Sequence, residues 1–441
     1  MTEPRPSAAN ANLRWALEGA LERADAAHAL RLVNALAWYW VLRGRLGEAR
    51  RSMSSVLELA GGAGELHARA RVWQVGLTIL VGDGEDRAAP IESALKAYGE
   101  VADSAEVTWA RWFLAHTLCG TGDVSEGAAL TGQALEGFRE LGDRWGEAAA
   151  LSDRAAQRLL AGDLAGAEED AARSVELFGA AGDTYGQLWS VYPRSAVAAI
   201  HGDYARSSAL QRDALETVQE FGLATHEADL LSGLGRNALL TGDFAAARTY
   251  HERARRSAVD IGFRAGEINA VLGLGLGARR EGLFDESEIH LRTVLAWHRD
   301  VGLDGANALI LAELGFIAEA RGDASAAWGL QQEGYATARS AGDPRAVALA
   351  LEGLAAALAL SGAGEPAAVL LGAAAVTRAA TGAPLPPAER GDVDRATAQA
   401  RELLEREAFE TAFRRGEELG PHEAVGVAVA SGRTSSTRVG P

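Results

Sequence analysis

Residues 222–262 read GLATHEADLLSGLGRNALLTGDFAAARTYHERARRSAVDIG, and this stretch decides the fold. It holds two segments rich in Ala, Leu, Glu and Arg, which favour helices, and a glycine closes each of them. Glycine can take the left-handed backbone conformation that ends a helix. Asp243 follows Gly242 and can accept from the first free N–H groups of the next helix. The stretch therefore predicts helix, tight turn, helix and second turn.

The same unit recurs every 40 residues. Two ladders of glycines with this period are offset by 20 residues, and Gly44 stands slightly off register: Gly82, Gly122, Gly162, Gly202, Gly242, Gly282, Gly322 and Gly362, then Gly142, Gly182, Gly222, Gly262, Gly302, Gly342 and Gly382. A fixed period of this size indicates a repeat array. We count nine units, of which the second, around Gly82, fits poorly. Asp is missing after Gly282, where Asp285 is expected to cap a displaced helix start.

Two rows of small residues flank the first ladder and predict close crossing of paired helices. They are Ala115, Ala155, Ser195, Gly235, Gly275, Gly315 and Ala355 on one side, and Gly127, Ala167, Ser207, Ala247, Ser287, Ala327 and Ala367 on the other. Two apolar rows predict the packing side of the first helices: Leu114, Leu234, Leu274, Leu314 and Leu354, and Leu151, Val191, Leu231, Val271, Leu311 and Leu351.

Small residues and Gly-Asp pairs at these offsets resemble tetratricopeptide repeats, in a version longer than usual. The resemblance implies an all-α fold, a right-handed superhelical solenoid of about nine helix-turn-helix repeats of 40 residues. We expect repeats over residues 11–383 and capping helices over residues 384–430, where Pro384, Pro386 and Pro387 break the period. Residues 1–10 and 431–441 are expected to be disordered.

The ends of the array narrow the resemblance. Residues 35–44 read ALAWYWVLRG, residues 370–374 read LLGAA, residues 384–390 read PLPPAER, and residues 416–419 read GEEL. These runs resemble the start and close of the repeat region in AfsR-like and maltose-activator-like regulators of actinobacteria, which are signal-transducing NTPases of the LuxR type. Such regulators join a DNA-binding domain, an NTPase switch and a repeat domain that senses a ligand or partner. The resemblance implies a role in transcriptional regulation.

The chain departs from that pattern in two respects. A phosphate-binding loop needs Gly-x4-Gly-Lys-Ser/Thr. The single lysine, Lys96, follows Ala94 and Leu95 and not a glycine, so we expect no NTPase module in this chain. The repeats also leave no length for a helix-turn-helix domain. We expect a sensor that binds a small molecule or peptide on the concave face and signals to a DNA-binding or NTPase module outside this chain. The alternative is a stand-alone scaffold that binds a peptide or helix, and a homo-oligomer stays open.

Composition excludes other classes. The chain carries 43 basic and 60 acidic residues, a net charge of −17, so we expect no direct contact with nucleic acid. No run of apolar residues reaches the roughly 18 residues of a membrane span, so no membrane partner is expected. The single cysteine, Cys119, rules out an internal disulfide and suits a reducing cytoplasm. These observations predict a cytoplasmic protein.

Motifs that would indicate an enzyme fail on context. Gly273-x-Gly275 matches part of a dinucleotide fingerprint but lies inside a predicted helix, whereas the fingerprint needs a preceding strand. The nine histidines lack metal-ligand spacing, and His290 beside Glu286 is expected on a solvated face. Cys119 is expected to be a packed or half-buried thiol. We therefore expect no enzyme, no catalytic residues, no cofactor and no metal.

Helical spacing places aromatic residues on the stripe of the first helices that lies opposite the packing side. In two later units the same stripe carries Asp229, Ser232 and Arg236, and then Asn269, Leu272 and Leu276. Aromatic platforms with a few polar groups suit a small apolar molecule, a sugar face or a peptide. The predicted ligand-binding residues are Trp38, Trp73, Trp109, Trp112, His116, Asp153, Trp189, Tyr192, Arg194 and Arg236.

Two alternatives stay open on this stripe. About half of the aromatics are expected to be structural, because tryptophan also fills cores between repeats. Arg154 and Arg194 stand on rows that elsewhere carry Leu. They either pair with acids such as Asp153 or Glu169, which we favour, or mark the opening of a cavity.

Overall fold

The structure is a computed structural model that describes residues 8–62, 64–81, 87–119, 124–382, 385 and 389–436. Within these residues every regular element is helical, which confirms the predicted all-α fold. The helices are α1 Ala8–Glu22, α2 Ala26–Leu42, α3 Leu46–Ala60, α4 Glu65–Leu80, α5 Ala88–Gly99, α6 Ser104–Leu118, α7 Val124–Leu141, α8 Arg144–Leu160, α9 Leu164–Ala180, α10 Thr184–Trp189, α11 Val191–Ile200, α12 Tyr204–Phe221, α13 Ala224–Thr241, α14 Phe244–Asp260, α15 Arg264–Arg280, α16 Phe284–Asp300, α17 Ala308–Ala320, α18 Ala324–Ala341, α19 Pro344–Leu360, α20 Gly364–Ala380, α21 Arg390–Glu402, α22 Arg406–Glu418 and α23 Pro421–Ser436.

Among the described helices, α2 to α20 form nine successive pairs, as the predicted repeat count requires. One first helix is interrupted at Ser190, so that α10 and α11 together occupy the place of a single helix. Pro193 lies in the first turn of α11 and has no N–H to bond back to Trp189. The proline thus accounts for the break.

The glycine ladders end helices as predicted. Gly242 has a φ of +82°, and the N–H of Asp243 bonds to the carbonyl of Ala238 at 2.9 Å. Oδ1 of Asp243 then accepts from the N–H of Ala246 at 3.0 Å, which caps α14. Every described glycine of both ladders has a positive φ, whereas Gly82 and Gly122 lie outside the described residues.

One predicted cap is wrong. Leu283, not Asp285, holds the N-cap position of α16, and no side chain caps that helix. Asp285 instead pairs with Arg321. Because Leu283 keeps the standard register after Gly282, the helix start is not displaced and Asp285 falls inside the first turn.

The small and apolar rows are confirmed as packing positions. Ser287 is buried and its hydroxyl donates to the carbonyl of Gly275 at 2.7 Å, so the two helices touch where both rows are small. All eleven residues of the two predicted apolar rows are buried. Close contact between backbones therefore sets the pairing of the helices.

The chain divides into two compact units. Unit 1 comprises Met1–Gln157 and Asp170–Ser190, and unit 2 comprises Arg158–Glu169 and Val191–Pro441. In unit 2, α22 packs on α20 so closely that a Cβ on Gly372 would stand 2.1 Å from the carbonyl oxygen of Phe413. No helix among the described residues is long and apolar enough to cross a membrane.

The predicted segment boundaries remain predictions. α1 begins at Ala8 and α23 ends at Ser436, so both helices enter the predicted tails. Residues 1–7 and 437–441 lie outside the described residues. The three prolines that were expected to open the capping segment also lie outside the described residues.

Candidate ligand-binding site

The structure distributes the ten predicted ligand residues over both units. Seven of them belong to unit 1: Trp38, Trp73, Trp109, Trp112, His116, Asp153 and Trp189. The other three belong to unit 2, on α11 and α13: Tyr192, Arg194 and Arg236. The predicted stripe is therefore divided between the two units.

The tryptophans of unit 1 form an aromatic cluster. It consists of Trp38, Trp73, Trp109, Trp112, Trp145, Trp189, Phe113, Phe178, Tyr185 and His116. Ring centroids stand 5.0 Å apart between Trp73 and Trp109 and 5.7 Å apart between Trp112 and Trp189. Trp73 is 2% exposed and Trp112 fully buried, and both belong to the hydrophobic core of the unit. Packing of this kind favours a structural role for much of the cluster.

Sequence reasoning missed three members of the cluster, Trp145, Phe178 and Tyr185. Trp145 lies at the start of α8, and its indole N–H donates to Oδ2 of Asp183 at 2.8 Å. Asp183 also caps α10 through Gly186. Phe178 lies on a second helix, α9, where the stripe gives no signal, but Trp145 and Tyr185 stand four residues before stripe positions, so extending the stripe by one turn would have included them.

A polar pair borders the aromatic cluster. Nδ1 of His116 lies 2.8 Å from Oδ1 of the buried Asp153. Burial works against a charged imidazole here, but the Asp153 carboxylate outweighs it and raises the pKa of His116 above its ordinary value. Close by in sequence, Cys119 is half-buried as predicted, and burial raises the pKa of its thiol.

Arg154 is paired with an acid, but not with either acid that the sequence suggested. Its guanidinium donates to both carboxylate oxygens of Asp170, at 2.7 Å each. Asp170 lies four residues after Gly166 on α9, and its side chain is buried. The favoured interpretation, that Arg154 forms an ion pair on a row that elsewhere carries Leu, is therefore correct. The suggested partners, Asp153 and Glu169, are wrong.

Unit 2 contains a cavity of about 760 Å³. Successive first helices line it with residues that recur at the 40-residue step. The six stripe residues from two neighbouring repeats all face it: Asp229, Ser232, Arg236, Asn269, Leu272 and Leu276. Tyr192 lines the same cavity from α11, and Leu309, Phe316 and Leu349 add apolar wall. In this unit the predicted inner face of the repeats therefore forms part of the cavity wall.

Residues beyond the repeats close one side of the cavity. Leu385, Glu389, Asp392 and Val393 line it, the last two from α21. Glu389 accepts from Arg236 at 2.7 Å, and Asp392 accepts from Arg279 at 2.7 Å. No sequence pattern pointed to this contact, because the partners lie more than 100 positions apart in the chain.

His251 reaches the cavity from a second helix, α14, through a slot between glycines. A Cβ on Gly235 would stand 2.6 Å from its ring, and a Cβ on Gly273 would stand 2.1 Å from it. The ring is buried, and neither nitrogen has a hydrogen-bond partner among the described residues. Burial lowers the pKa of His251 to about 4, and nearby Arg236 adds to this. The imidazole is therefore neutral at neutral pH.

Asp229 projects from α13 into the cavity and is exposed to the solvent inside it. It makes no hydrogen bond or ion pair with any residue that the structure describes. The surrounding protein raises the pKa of its carboxyl to about 7. Within the described part of the chain, no group of three or more His, Cys, Asp or Glu is placed to hold a metal ion.

No protein-family profile matches the chain, and no curated protein sequence matches it. Among solved structures, the chain is similar to a Rap protein crystallised with the competence and sporulation factor, with a TM-score of 0.56 and 12% identity over 88% of this chain and 99% of that one. This likeness shows a shared fold.

Two further structures are more distant. A signal-transduction ATPase from Pyrococcus horikoshii with a tetratricopeptide repeat sensor gives a TM-score of 0.45 and 13% identity, over 71% of this chain and 46% of that one. The regulator NprR with its cognate peptide gives a TM-score of 0.44 and 13% identity, over 84% of this chain and 95% of that one.

Proposed function

We propose that the chain binds a small molecule or a peptide in the cavity of unit 2 and serves as the sensing part of a transcriptional regulator. The observation that carries the proposal is the cavity itself, about 760 Å³ in volume, with apolar walls and a few polar groups that converge on it. Binding sites for small ligands have this size and this composition.

Two further observations support the proposal. The ends of the repeat array resemble those of AfsR-like and maltose-activator-like regulators, in which the repeat region senses a signal. The Rap protein of the same fold was crystallised as a complex with the competence and sporulation factor. Together they favour recognition of a signal over a purely architectural role.

Of the predicted ligand contacts, Tyr192 and Arg236 belong to the proposed site. Arg194 and the seven residues of unit 1 stay predictions, and the packing of the aromatic cluster favours a structural role for Trp73 and Trp112. Ligand binding would change the contact between the repeats and α21, and so bias a DNA-binding or NTPase module.

A block of the cavity tests the proposal. Asn269 is exposed to the cavity on α15, so Asn269→Trp fills space without removing core packing. Val259→Trp is the matched control, because Val259 is 52% exposed on α14 and does not line the cavity. Thermal-shift screens of metabolites and synthetic pentapeptides are run on both variants and the wild type.

We expect compounds that raise the melting temperature of the wild type and Val259→Trp but not of Asn269→Trp. Stabilisation that survives in Asn269→Trp would place binding outside the cavity and contradict the proposal. The alternative function, a stand-alone scaffold, predicts instead a protein partner whose capture is equal for all three proteins.

A further inference from the structure

Charged side chains line the cavity, and those that the structure describes are paired with one exception. The pairs are Arg236 with Glu389 at 2.7 Å, Arg280 with Glu313 at 2.5 Å, Arg378 with Glu352 at 2.7 Å, Arg345 with Asp343 at 3.3 Å and Asp392 with Arg279 at 2.7 Å. The cavity thus holds no spare cation among these residues.

Asp229 is the exception. Its carboxylate has no partner among the described residues, although protein atoms surround it closely enough to raise its pKa. Because the side chain is exposed within the cavity, the carboxylate is accessible to a cationic partner that the described residues do not supply. Two other stripe residues that line the cavity, Ser232 one turn further along α13 and Asn269 at the same repeat position on α15, are neutral. The ligand-free site is therefore short of one positive charge.

The neighbouring groups cannot supply that charge. Arg236 lies on the same helix but is bound to Glu389. His251 faces the same cavity, yet its low pKa keeps the imidazole neutral above about pH 4. The same cavity also has apolar wall, with Leu272 on the next first helix, α15, and Leu309 on the one after it, α17. A ligand must therefore bring both a cation and an apolar body.

We infer that the cavity selects a ligand with a protonated amine, which pairs with Asp229, and an apolar body, which lies against Leu272, Leu309 and Leu349. The inference rests on the proposed function and names the ligand class for the same site. The amine can belong to a small organic molecule or to the amino-terminus of an apolar peptide, and the test separates these two sources.

The test uses charge-matched pairs of probes in calorimetric titrations at pH 8. The first pair is 4-phenylbutylamine and 4-phenylbutanol. The second is an amidated pentapeptide of leucine and alanine with a free amino-terminus, and the same peptide acetylated. Wild type is compared with Asp229→Asn, and with Glu216→Gln as the matched control, since Glu216 is an exposed acid on α12 outside the cavity.

We expect the charged member of at least one pair to bind wild type and Glu216→Gln at least tenfold more tightly than its neutral partner. Asp229→Asn removes that preference. The probe pair that shows this preference identifies whether the amine belongs to a small organic molecule or to the amino-terminus of a peptide. Equal affinity for charged and neutral probes, a preference that survives in Asp229→Asn, or no binding of either amine would overturn the inference.

The outcomes for the two proposals differ. If neutral probes bind and Asn269→Trp blocks them, the cavity is a ligand site and only the amine preference fails. If amines bind equally well to Asn269→Trp, the site itself is misplaced.

The melting temperature of Asp229→Asn shows whether this variant folds. It also tests the unpaired Asp229 carboxylate independently of ligand binding. The folded-state pKa of Asp229 is raised to about 7, so the folded chain keeps a proton that the unfolded chain has lost, and stability falls as pH rises from about 4 to 7. Asp229→Asn should therefore melt higher than wild type at pH 8 and equally at pH 4. A lower melting temperature at pH 8 would show that the carboxylate already has a partner.

Discussion

The two units use the same helix pairs but fill one repeat position differently. Unit 1 carries Trp109, Ala149 and Trp189 there, and the two indoles pack into the aromatic cluster. Unit 2 carries Asp229, Asn269, Leu309 and Leu349 at the same 40-residue step, and all four line a cavity. In unit 1 even the short Ala149 is fully buried, whereas in unit 2 no indole stands at this position and the side chains leave a cavity. The comparison shows how one scaffold gives a packed interior in one unit and a hollow in the other.

The largest effect is expected from Trp112→Ala in unit 1. Trp112 is fully buried and its ring lies within 6.4 Å, centroid to centroid, of Trp38, Trp109 and Trp189. Loss of a buried aromatic costs about 3–5 kcal/mol in the free energy of unfolding. Tryptophan fluorescence in urea measures it, since eight of the ten tryptophans lie in unit 1. Asn269→Ala in unit 2 is the counterpart and should cost less than about 1 kcal/mol. A small loss for Trp112→Ala would mean that the cluster is a surface and not a core.

His251→Gln tests the polar interior of unit 2. The low pKa of His251 means that the unfolded chain takes up a proton between about pH 6.5 and 4 and the folded chain does not, so the stability of the wild type falls as pH falls through this range. The full effect is on the order of 3 kcal/mol. Glutamine stands at the same repeat position in Gln211 and Gln331 and does not titrate.

The variant should therefore lose less stability than the wild type between pH 7 and pH 4, measured by urea denaturation at both values. Parallel losses in the two proteins would show that His251 is solvated, and that its slot between the glycines is open.

Gly273→Ala tests that slot directly. The added Cβ would meet the imidazole of His251 at 2.1 Å, so the ring must move. Overpacking of this kind costs about 1–3 kcal/mol. Gly329→Ala is the control, because it lies in the interior of α18 with nothing within 4 Å of an added Cβ, and it should stabilise by up to about 1 kcal/mol. Circular dichroism in urea follows both. A stabilising Gly273→Ala would contradict the close packing of His251.

The sequence predicted the parts of the fold that are local. Gly242 with Asp243, or Ser287 opposite Gly275, need only turn and packing rules applied at a 40-residue step. The stripe that includes Asp229, Arg236 and Asn269 was also assigned correctly to an inner face, which lines the cavity.

The sequence could not tell which of these repeats would enclose a cavity. A tryptophan such as Trp112 occupies the same positions in the helical spacing whether its indole lines a groove or fills a core, because both uses need the same helical face. The closure of the cavity by Glu389 and Asp392 depends on contacts distant in the chain, which no local spacing encodes. Aromatic content thus pointed to unit 1, while the cavity lies in unit 2, where Tyr192 and Phe316 line it and no tryptophan does.

The most direct test exchanges residues at the shared repeat position. Trp189→Asp puts the residue of unit 2 into the aromatic cluster, and Asp229→Trp puts an indole into the cavity. Unfolding of each variant in urea is followed by circular dichroism. We expect Trp189→Asp to lose about 2–4 kcal/mol, because an acid replaces a half-buried indole that packs against the core. We expect Asp229→Trp to lose less than about 1 kcal/mol, because it fills open space. Equal losses in the two variants would contradict the account, because both positions would then be packed alike.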